Sequence, residues 1–262
     1  MEVWQILLLA LVQGLTEFLP VSSSAHLILA NRLFGWADQG LAMDVAVHVG
    51  SLLAVVGYFR RDLLAMLSGG NSPAFPELPA RSLAIWLVLV TVPLVICGVL
   101  FADVIGTQLR RIEVIGAASI VFGLVLWLAD RWGRRSETRV QPPAMISMGL
   151  AQALALIPGT SRSGITMSAG LAAGLDRETA SRFAFLMAIP ALGSAGLYSA
   201  WDLLSSGQDP HLGEFALAVA ASAAGAWVCI DAFLRLVGRL GMLPFVIYRV
   251  ALGVFLLVLA AT

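Results

Sequence analysis

Apolar residues come in long blocks along this chain, and six of them approach the roughly 20 residues needed to cross a hydrocarbon core. They lie at 41–59, 82–102, 112–129, 179–203, 214–234 and 241–261. Arg-flanked polar stretches between several of them read as loops. One is 60–81, rich in Pro and Gly, and another is DRWGRRSETRVQPP at 130–143. No soluble domain fits between the spans.

Two regions break the pattern. Residues 2–34 run from an apolar arm through QGLTEFLPVSSSAH into a short apolar arm, and residues 144–175 repeat the plan around QALALIPGTSRSG. The short arms have about 11 residues, near 16 Å as helix, which is half a hydrocarbon core. Both regions are predicted to be re-entrant helix–loop–helix hairpins; for the first, a tilted full span over 2–19 is the alternative. Setting Gln13 on Gln152 places Ser22 on Ser161 and Ser24 on Ser163. Each half is then one hairpin followed by three spans, repeat 1 over about 1–135 and repeat 2 over about 141–262. Three is odd, so the second hairpin enters from the opposite face, as in inverted-topology repeats. The expected fold is a single all-α polytopic membrane domain, with two re-entrant hairpins plus six transmembrane helices and the polar tips meeting near the midplane.

Arginine placement orients this plan. Loops on the face from which the first hairpin enters hold Arg32, Arg110 and Arg111. The other face holds Arg60, Arg61, Arg81, Arg131, Arg134, Arg135, Arg139, Arg177, Arg182, Arg235 and Arg239. That imbalance puts the Arg-rich face in the cytoplasm and both termini outside. The 204–214 loop, with Asp209 and Glu214 but no Arg, suits an external position. Arg162 and Arg249 are left over, inside the membrane zone.

Composition narrows the chemistry. Of 262 residues, 59% are hydrophobic and only 12% charged, with mean hydropathy +0.90. A water-soluble domain, a disordered chain, a fibrous repeat and a disulfide scaffold are all excluded. The 16 cationic side chains are all Arg, which rules out Schiff-base catalysis and a Walker-type phosphate Lys. A net charge of zero gives no argument for nucleic acid as a partner. Cys97 and Cys229 sit in apolar runs and read as small core residues. MEVWQILLLALVQG lacks the basic start of a cleaved signal peptide and is expected to belong to the mature protein.

Ionisable residues inside a membrane are functional candidates. Gln13 and Glu17 share one helical face, Pro20 breaks the helix, and Ser22, Ser23 and Ser24 are natural caps for the next arm. His26 lies within reach of the Ser22 and Ser23 hydroxyls, the minimum kit for an activated nucleophile. Glu17 is suited to orient His26, to act as a base itself, or to hold a divalent metal. In the second tip, Gly159 and Gly164 allow close backbone approach, Thr160, Ser161 and Ser163 offer hydroxyls, and Arg162 offers a planar fork for phosphate. The helix starting just after it presents its N-terminus. A base and nucleophile on one side and phosphate binders on the other describe an anion site. Plainer readings stand beside it: a structural Glu17–Arg162 pair, a structural His26, and hydroxyls that only cap helices. GLAAG at 170–174 and GSAG at 193–196 read as helix-packing faces. Asp44 and His48, on one face, read as support behind the site or as a structural polar pair, and Asp231 and Arg235 as an i,i+4 pair. Tyr248 and Arg249 read either as support behind the site or as a structural polar pair, with Arg249 then the neutraliser of an acid. Trp4, Trp86, Trp127 and Trp132 suit interface belts.

At its two tips the chain resembles the undecaprenyl-diphosphate phosphatase family of the bacitracin-resistance type. The family's Gln/Glu-x-x-x-Glu motif stands here as Gln13-GLT-Glu17, followed by FLPVSS at 18–23 and by His26; its PGxSRSG motif stands as PGTSRSG at 158–164. Members commonly read Ser-Ser-Thr-Gly-His, where this chain has Ser22-Ser23-Ser24-Ala25-His26, keeping a hydroxyl at 24 and a helix-compatible Ala at 25. The resemblance covers essentially the whole chain. It implies an inner-membrane hydrolase that removes the terminal phosphate of undecaprenyl diphosphate, with a periplasm-facing site and dependence on Mg²⁺ or Ca²⁺. Catalysis is expected from Glu17, Ser23, His26 and Arg162, with Ser22 or a water as other nucleophiles. The lipid is expected to be bound by Gln13, Ser22, Ser24, Gly159, Thr160, Ser161, Ser163 and Gly164, and any metal by Glu17. The rival class is a transporter or flippase for an anionic lipid or solute, which the architecture alone supports equally.

Overall fold

The computed structural model describes residues 2–36, 40–133, 136–205 and 211–261, apart from the side chains of 30–34 and 204. Arg134, Arg135 and Asp209, and the side chain of Arg32, used in the charge count, lie outside what is described. Among the described residues every regular element is a helix; the connecting turns and loops hold two isolated bridge pairs, Asn71 with Pro79 and Glu137 with Leu175.

The first hairpin is α1 (Val3–Glu17) and α2 (Ser23–Phe34). There follow α3 (Gly40–Tyr58), a short surface helix α4 (Arg60–Ser68), α5 (Ala80–Leu89), α6 (Val92–Leu100), α7 (Ala102–Thr107) and α8 (Ile112–Trp132). The second hairpin is α9 (Pro142–Gln152), a 3₁₀ turn (Ala153–Leu156) and α10 (Arg162–Ala172). Three long helices complete the chain: α11 (Arg177–Ser205), α12 (Leu212–Leu240) and α13 (Leu243–Ala261). Among the described residues, six helical segments are long and apolar enough to cross a membrane: α3, the joined α5–α6, α8, α11, α12 and α13. They match the six apolar blocks. The chain is a multi-pass membrane protein. The hairpin helices have 15, 12, 11 and 11 residues, all short of the roughly 20 that a crossing requires.

One local expectation is corrected here. Segment 60–81 is not all loop, because its helix breakers begin only at Gly69; the Leu- and Met-rich stretch before it winds into α4. The buried Asp62 carboxylate then ties down the following turn, accepting from Ser72 Oγ at 2.5 Å and Ala74 N at 2.8 Å. The second span bends between α5 and α6, where Thr91 Oγ1 donates back to the Leu87 carbonyl at 2.8 Å and Pro93 brings no N–H.

Lipid is as apolar as Leu, so these helices are held by close packing and hydrogen bonds rather than by escape from water. Small residues mark each tight crossing. A Cβ on Gly50 of α3 would lie 2.5 Å from the Val219 carbonyl of α12, and one on Gly253 of α13 would lie 2.6 Å from the Gly116 carbonyl of α8. Ser222 of α12 donates to the Val47 carbonyl at 2.6 Å in the same seam. Gly170 packs on Met148 and Ala180, as expected of 170–174. The GSAG face does not pack: Gly193 and Gly196 have open space beside them, with Leu197, Tyr198 and Trp201 exposed nearby. Trp86 packs partly buried against the core, while Trp4, Trp127 and Trp132 are exposed. Cys229 is buried and donates to the Leu15 carbonyl, Cys97 is half-buried, and both are free thiols. Asp231 and Arg235 pair at 2.9 Å.

The core gathers on one side of the tips: Phe18 meets Phe185 edge-on at 5.2 Å, with Leu126, Met145, Met148, Met167 and Phe183 around them. Both hairpins turn through the same conformation. Ser22 (φ 70°, ψ 96°) and Ser161 (φ 67°, ψ 112°) are the described non-glycine residues with positive φ, and they are the pair aligned from sequence. Left-handed backbone is costly for a side-chain-bearing residue and persists only where its surroundings enforce it.

Candidate active site

The two tips touch. Glu17 ends α1, and its carboxylate collects donors from both hairpins. Oε2 accepts from Gln13 Nε2 at 2.9 Å and from Ser23 Oγ at 2.8 Å, while Oε1 accepts from Arg162 Nη2 at 3.2 Å. Gln13 reaches it because residues four apart share a helical face. Ser23 reaches it because Pro20 and the positive-φ Ser22 fold the chain back on itself. The Glu17 and Arg162 side chains are only 8% and 10% exposed, so the ion pair is poorly screened. Arg162 also donates from Nη1 to the Ala184 carbonyl at 3.2 Å, and its guanidinium lies over the Phe18 ring at 5.9 Å.

Further bonds join tip to tip. Ser163 Oγ donates to the Leu19 carbonyl at 2.8 Å, and Gly159 N donates to Ser24 Oγ at 3.4 Å. By the offset of the alignment, peptide 19–20 corresponds to peptide 158–159. Pro20 has no N–H, so the first offers its carbonyl; the second offers its N–H. Inside each tip, Ser22 Oγ lies 3.1 Å from Ser24 Oγ, and Ser161 Oγ 3.1 Å from Ser163 Oγ. Ser161 caps α10 by accepting from Gly164 N at 3.2 Å. Ser22 occupies the cap position of α2 without a side-chain cap bond, although its hydroxyl makes the same contact with Ser24 that Ser161 makes with Ser163.

The expected pairing of His26 with a serine hydroxyl is not formed. Its Nδ1 lies 2.7 Å from the Ser22 carbonyl, one helical turn back, and its Nε2 2.5 Å from Tyr248 Oη, with the rings stacked 3° from parallel. Both ring nitrogens are engaged, and the carboxylate of Glu17 is what Ser23 meets. Ser23 is partly exposed, whereas Ser22 is buried.

Several buried polar atoms lack a protein partner. Arg162 Nε and Thr160 Oγ1 are donors without an acceptor on the second tip, and Gln13 Oε1 is an acceptor without a donor on the first. Gln152, the counterpart of Gln13, has neither side-chain atom satisfied. A buried donor left without an acceptor is costly, so Arg162 Nε and Thr160 Oγ1 are the site's unused hydrogen-bonding capacity. Among the described residues, no three His, Cys, Asp or Glu side chains cluster to cage a metal ion.

Two residues of α13 complete the site. Tyr248 holds His26. Arg249, with neutralising an acid as one of its two readings, donates only to main-chain carbonyls: Ser119 at 3.3 Å, Pro20 at 3.4 Å, Gly159 at 2.9 Å and Thr160 at 2.7 Å. The signal for Arg249 was present in the charge count, which left it inside the membrane zone; nothing in the sequence pointed to carbonyl acceptors. Gly159, at φ +95°, passes so close to α8 that a Cβ would lie 3.0 Å from the Ile115 carbonyl carbon. Asp44 and His48 form their contact through the backbone, His48 Nδ1 lying 2.7 Å from the Asp44 carbonyl.

A family model described as bacitracin resistance protein BacA matches residues 6–255. A protein of Alcanivorax borkumensis named undecaprenyl-diphosphatase is 51% identical, the match covering 98% of each chain. One of Pseudoalteromonas translucida named undecaprenyl-diphosphatase 1 is 49% identical, again over 98% of each.

Proposed function

The chain belongs to the bacitracin resistance protein BacA family, and from that premise we propose that it is a membrane-embedded hydrolase acting on undecaprenyl diphosphate. It removes the terminal phosphate and leaves the monophosphate lipid carrier for cell-wall synthesis. The observation that carries the assignment of the site is the Glu17 carboxylate, which joins a hydroxyl from one tip to a guanidinium from the other.

In this reading Ser23 Oγ attacks the terminal phosphorus as its proton passes to Glu17 Oε2, 2.8 Å away. The phosphorus–bridging-oxygen bond breaks, and the lipid monophosphate departs as an anion that needs no proton. Water then attacks the phosphoserine. Its proton goes to the departing phosphate, while Glu17 returns its own to Ser23 Oγ. Arg162, through Nε, and Thr160, through Oγ1, supply donors for the equatorial oxygens as charge develops there. His26 is held by Tyr248 and keeps the first tip in shape.

Glu17 and the unpartnered Gln13 Oε1 are the protein oxygens that would hold a Mg²⁺ or Ca²⁺ ion. When bound, such an ion neutralises charge on the transferring phosphoryl group. The Arg distribution supports an inner-membrane location with the site and both termini facing the periplasm, and the shared positive-φ turns support the inverted repeat.

The test is free-phosphate release from a polyprenyl diphosphate by the purified protein in detergent. Release abolished by Glu17→Ala supports the reading. No release, with lipid transfer between vesicle leaflets, overturns it in favour of a flippase. Retention at a chiral terminal phosphorus, with a trapped phosphoserine at 23, supports the covalent route; inversion excludes it.

A further inference from the structure

The mechanism leaves one group unused, and it is the bulkiest fully buried side chain described. Arg249 exposes none of its surface. A guanidinium so placed is expensive unless it is answered by charge or by hydrogen bonds. Arg249 has four hydrogen bonds, every acceptor is a main-chain carbonyl, and no carboxylate is among them. Those carbonyls come from three places: Ser119 in α8, Pro20 in the first tip, and Gly159 with Thr160 in the second. The backbone leaves room for the side chain. A Cβ on Gly164 would lie 2.6 Å from Arg249 Nη1, and one on Gly123 3.2 Å from Arg249 Cβ.

We propose that Arg249 is the positioning residue of the phosphatase site. It holds the turn of each hairpin on one rigid fork and so sets the spacing of Glu17 and Arg162. It also draws the Gly159 and Thr160 carbonyls toward α13, so their oxygens do not face a phosphate. The Glu17–Arg162 pair is neutral as a unit; among the side chains joined at the two tips, the positive charge left over for an anionic headgroup is therefore that of Arg249. Lys substitutes poorly, since one ammonium preserves the charge but does not span three segments as a planar fork does. This inference rests on the phosphatase reading and adds the residue that assembles its site.

The experiment compares Arg249→Lys and Arg249→Met, purified in detergent, with the wild type and Glu17→Ala. It measures kcat for phosphate release and the inhibition constant of inorganic pyrophosphate. Misplacing a catalytic group by about 1 Å costs on the order of 100-fold, so Arg249→Met is expected to lose at least that much kcat and to bind pyrophosphate at least tenfold more weakly. Arg249→Lys keeps the charge; it should bind pyrophosphate within threefold of wild type and recover at least tenfold in kcat over Arg249→Met. Gly164→Ala, whose methyl would strike Nη1, should cost at least fivefold less activity in the Arg249→Lys background than in wild type. The proposal is overturned if Arg249→Met keeps kcat within threefold of wild type. It is equally overturned if the Lys and Met variants match in both measurements and Gly164→Ala costs the same in either background. If Arg249→Met does not fold, the Lys variant and the Gly164 cycle decide. A wild type that releases no phosphate sinks the phosphatase reading instead, and pyrophosphate binding, read by thermal shift, still tests Arg249.

Discussion

Replacing Glu17 by Gln changes the site by one charge and almost no volume. The carboxylate accepts three hydrogen bonds, from Gln13, Ser23 and Arg162. An amide has a single acceptor oxygen. Turned toward Arg162, that oxygen leaves its NH₂ facing the Gln13 NH₂, donor against donor, and Ser23 must rotate its hydroxyl to accept. One charge-assisted hydrogen bond is lost outright, about 1.5–3 kcal/mol. Arg162, 10% exposed, also loses its counter-charge. Removing one partner of a buried pair entirely costs about 3–5 kcal/mol; the retained amide oxygen keeps Glu17→Gln below that, at about 2–4 kcal/mol. Catalysis should suffer more, because an amide accepts no proton: the loss of a general base is worth about 10²–10⁴ in rate. Phosphate release and thermal unfolding of the detergent-solubilised protein measure the two effects separately. Adding Arg162→Met to Glu17→Gln should destabilise by less than the sum of the single changes, since the second removes a charge the first has orphaned. Glu17→Gln with kcat within threefold of wild type would refute the assignment of Glu17 as base, whatever happens to stability.

Ser23→Ala should lower kcat by at least about 10³ with little change in melting temperature, because the partly exposed hydroxyl makes one bond that Glu17 replaces with water; mass spectrometry of quenched enzyme should then find no phosphoserine. Gly159→Ala should lower the melting temperature and activity together, since at φ +95° the new methyl is forced against the Ile115 carbonyl; left-handed strain alone costs about 1–2 kcal/mol. Chelation should abolish phosphate release, and Mg²⁺ or Ca²⁺ should restore it. Gln13→Glu, which places a second carboxylate beside Glu17, should lower the Mg²⁺ concentration needed for half-activity; an unchanged requirement would show that Gln13 does not touch the ion.

Much of this was legible without coordinates because a membrane imposes coarse rules. A span must be long and apolar, so six blocks of residues became six spanning segments with ends shifted by a few residues. An ionisable group inside the bilayer needs a reason, so Glu17 and Arg162 stood out, and the two motifs placed them on opposite tips. The offset from Gln13 to Gln152 anticipated even the matched turns at Ser22 and Ser161.

What sequence alone determined, then, was which segments are long and apolar enough to cross, which two regions are not, and which side chains carry charge where charge is expensive. Only the tertiary structure decided who meets whom. His26 was read as the base for a serine because helical spacing brought them near; folding gave its ring to Tyr248, 222 positions away, and left Ser23 to Glu17. Arg249 was open to two readings, support behind the site or the answer to an acid; its partners are carbonyls, which every residue has and no sequence marks. GSAG carried the same small-residue signal as 170–174, but whether a neighbour arrives to use it depends on where other helices lie. Hydropathy and spacing act within one segment, where the chain's own period fixes the geometry. The pairing of distant side chains with backbone depends on how segments pack, and that is decided by contacts no single segment contains.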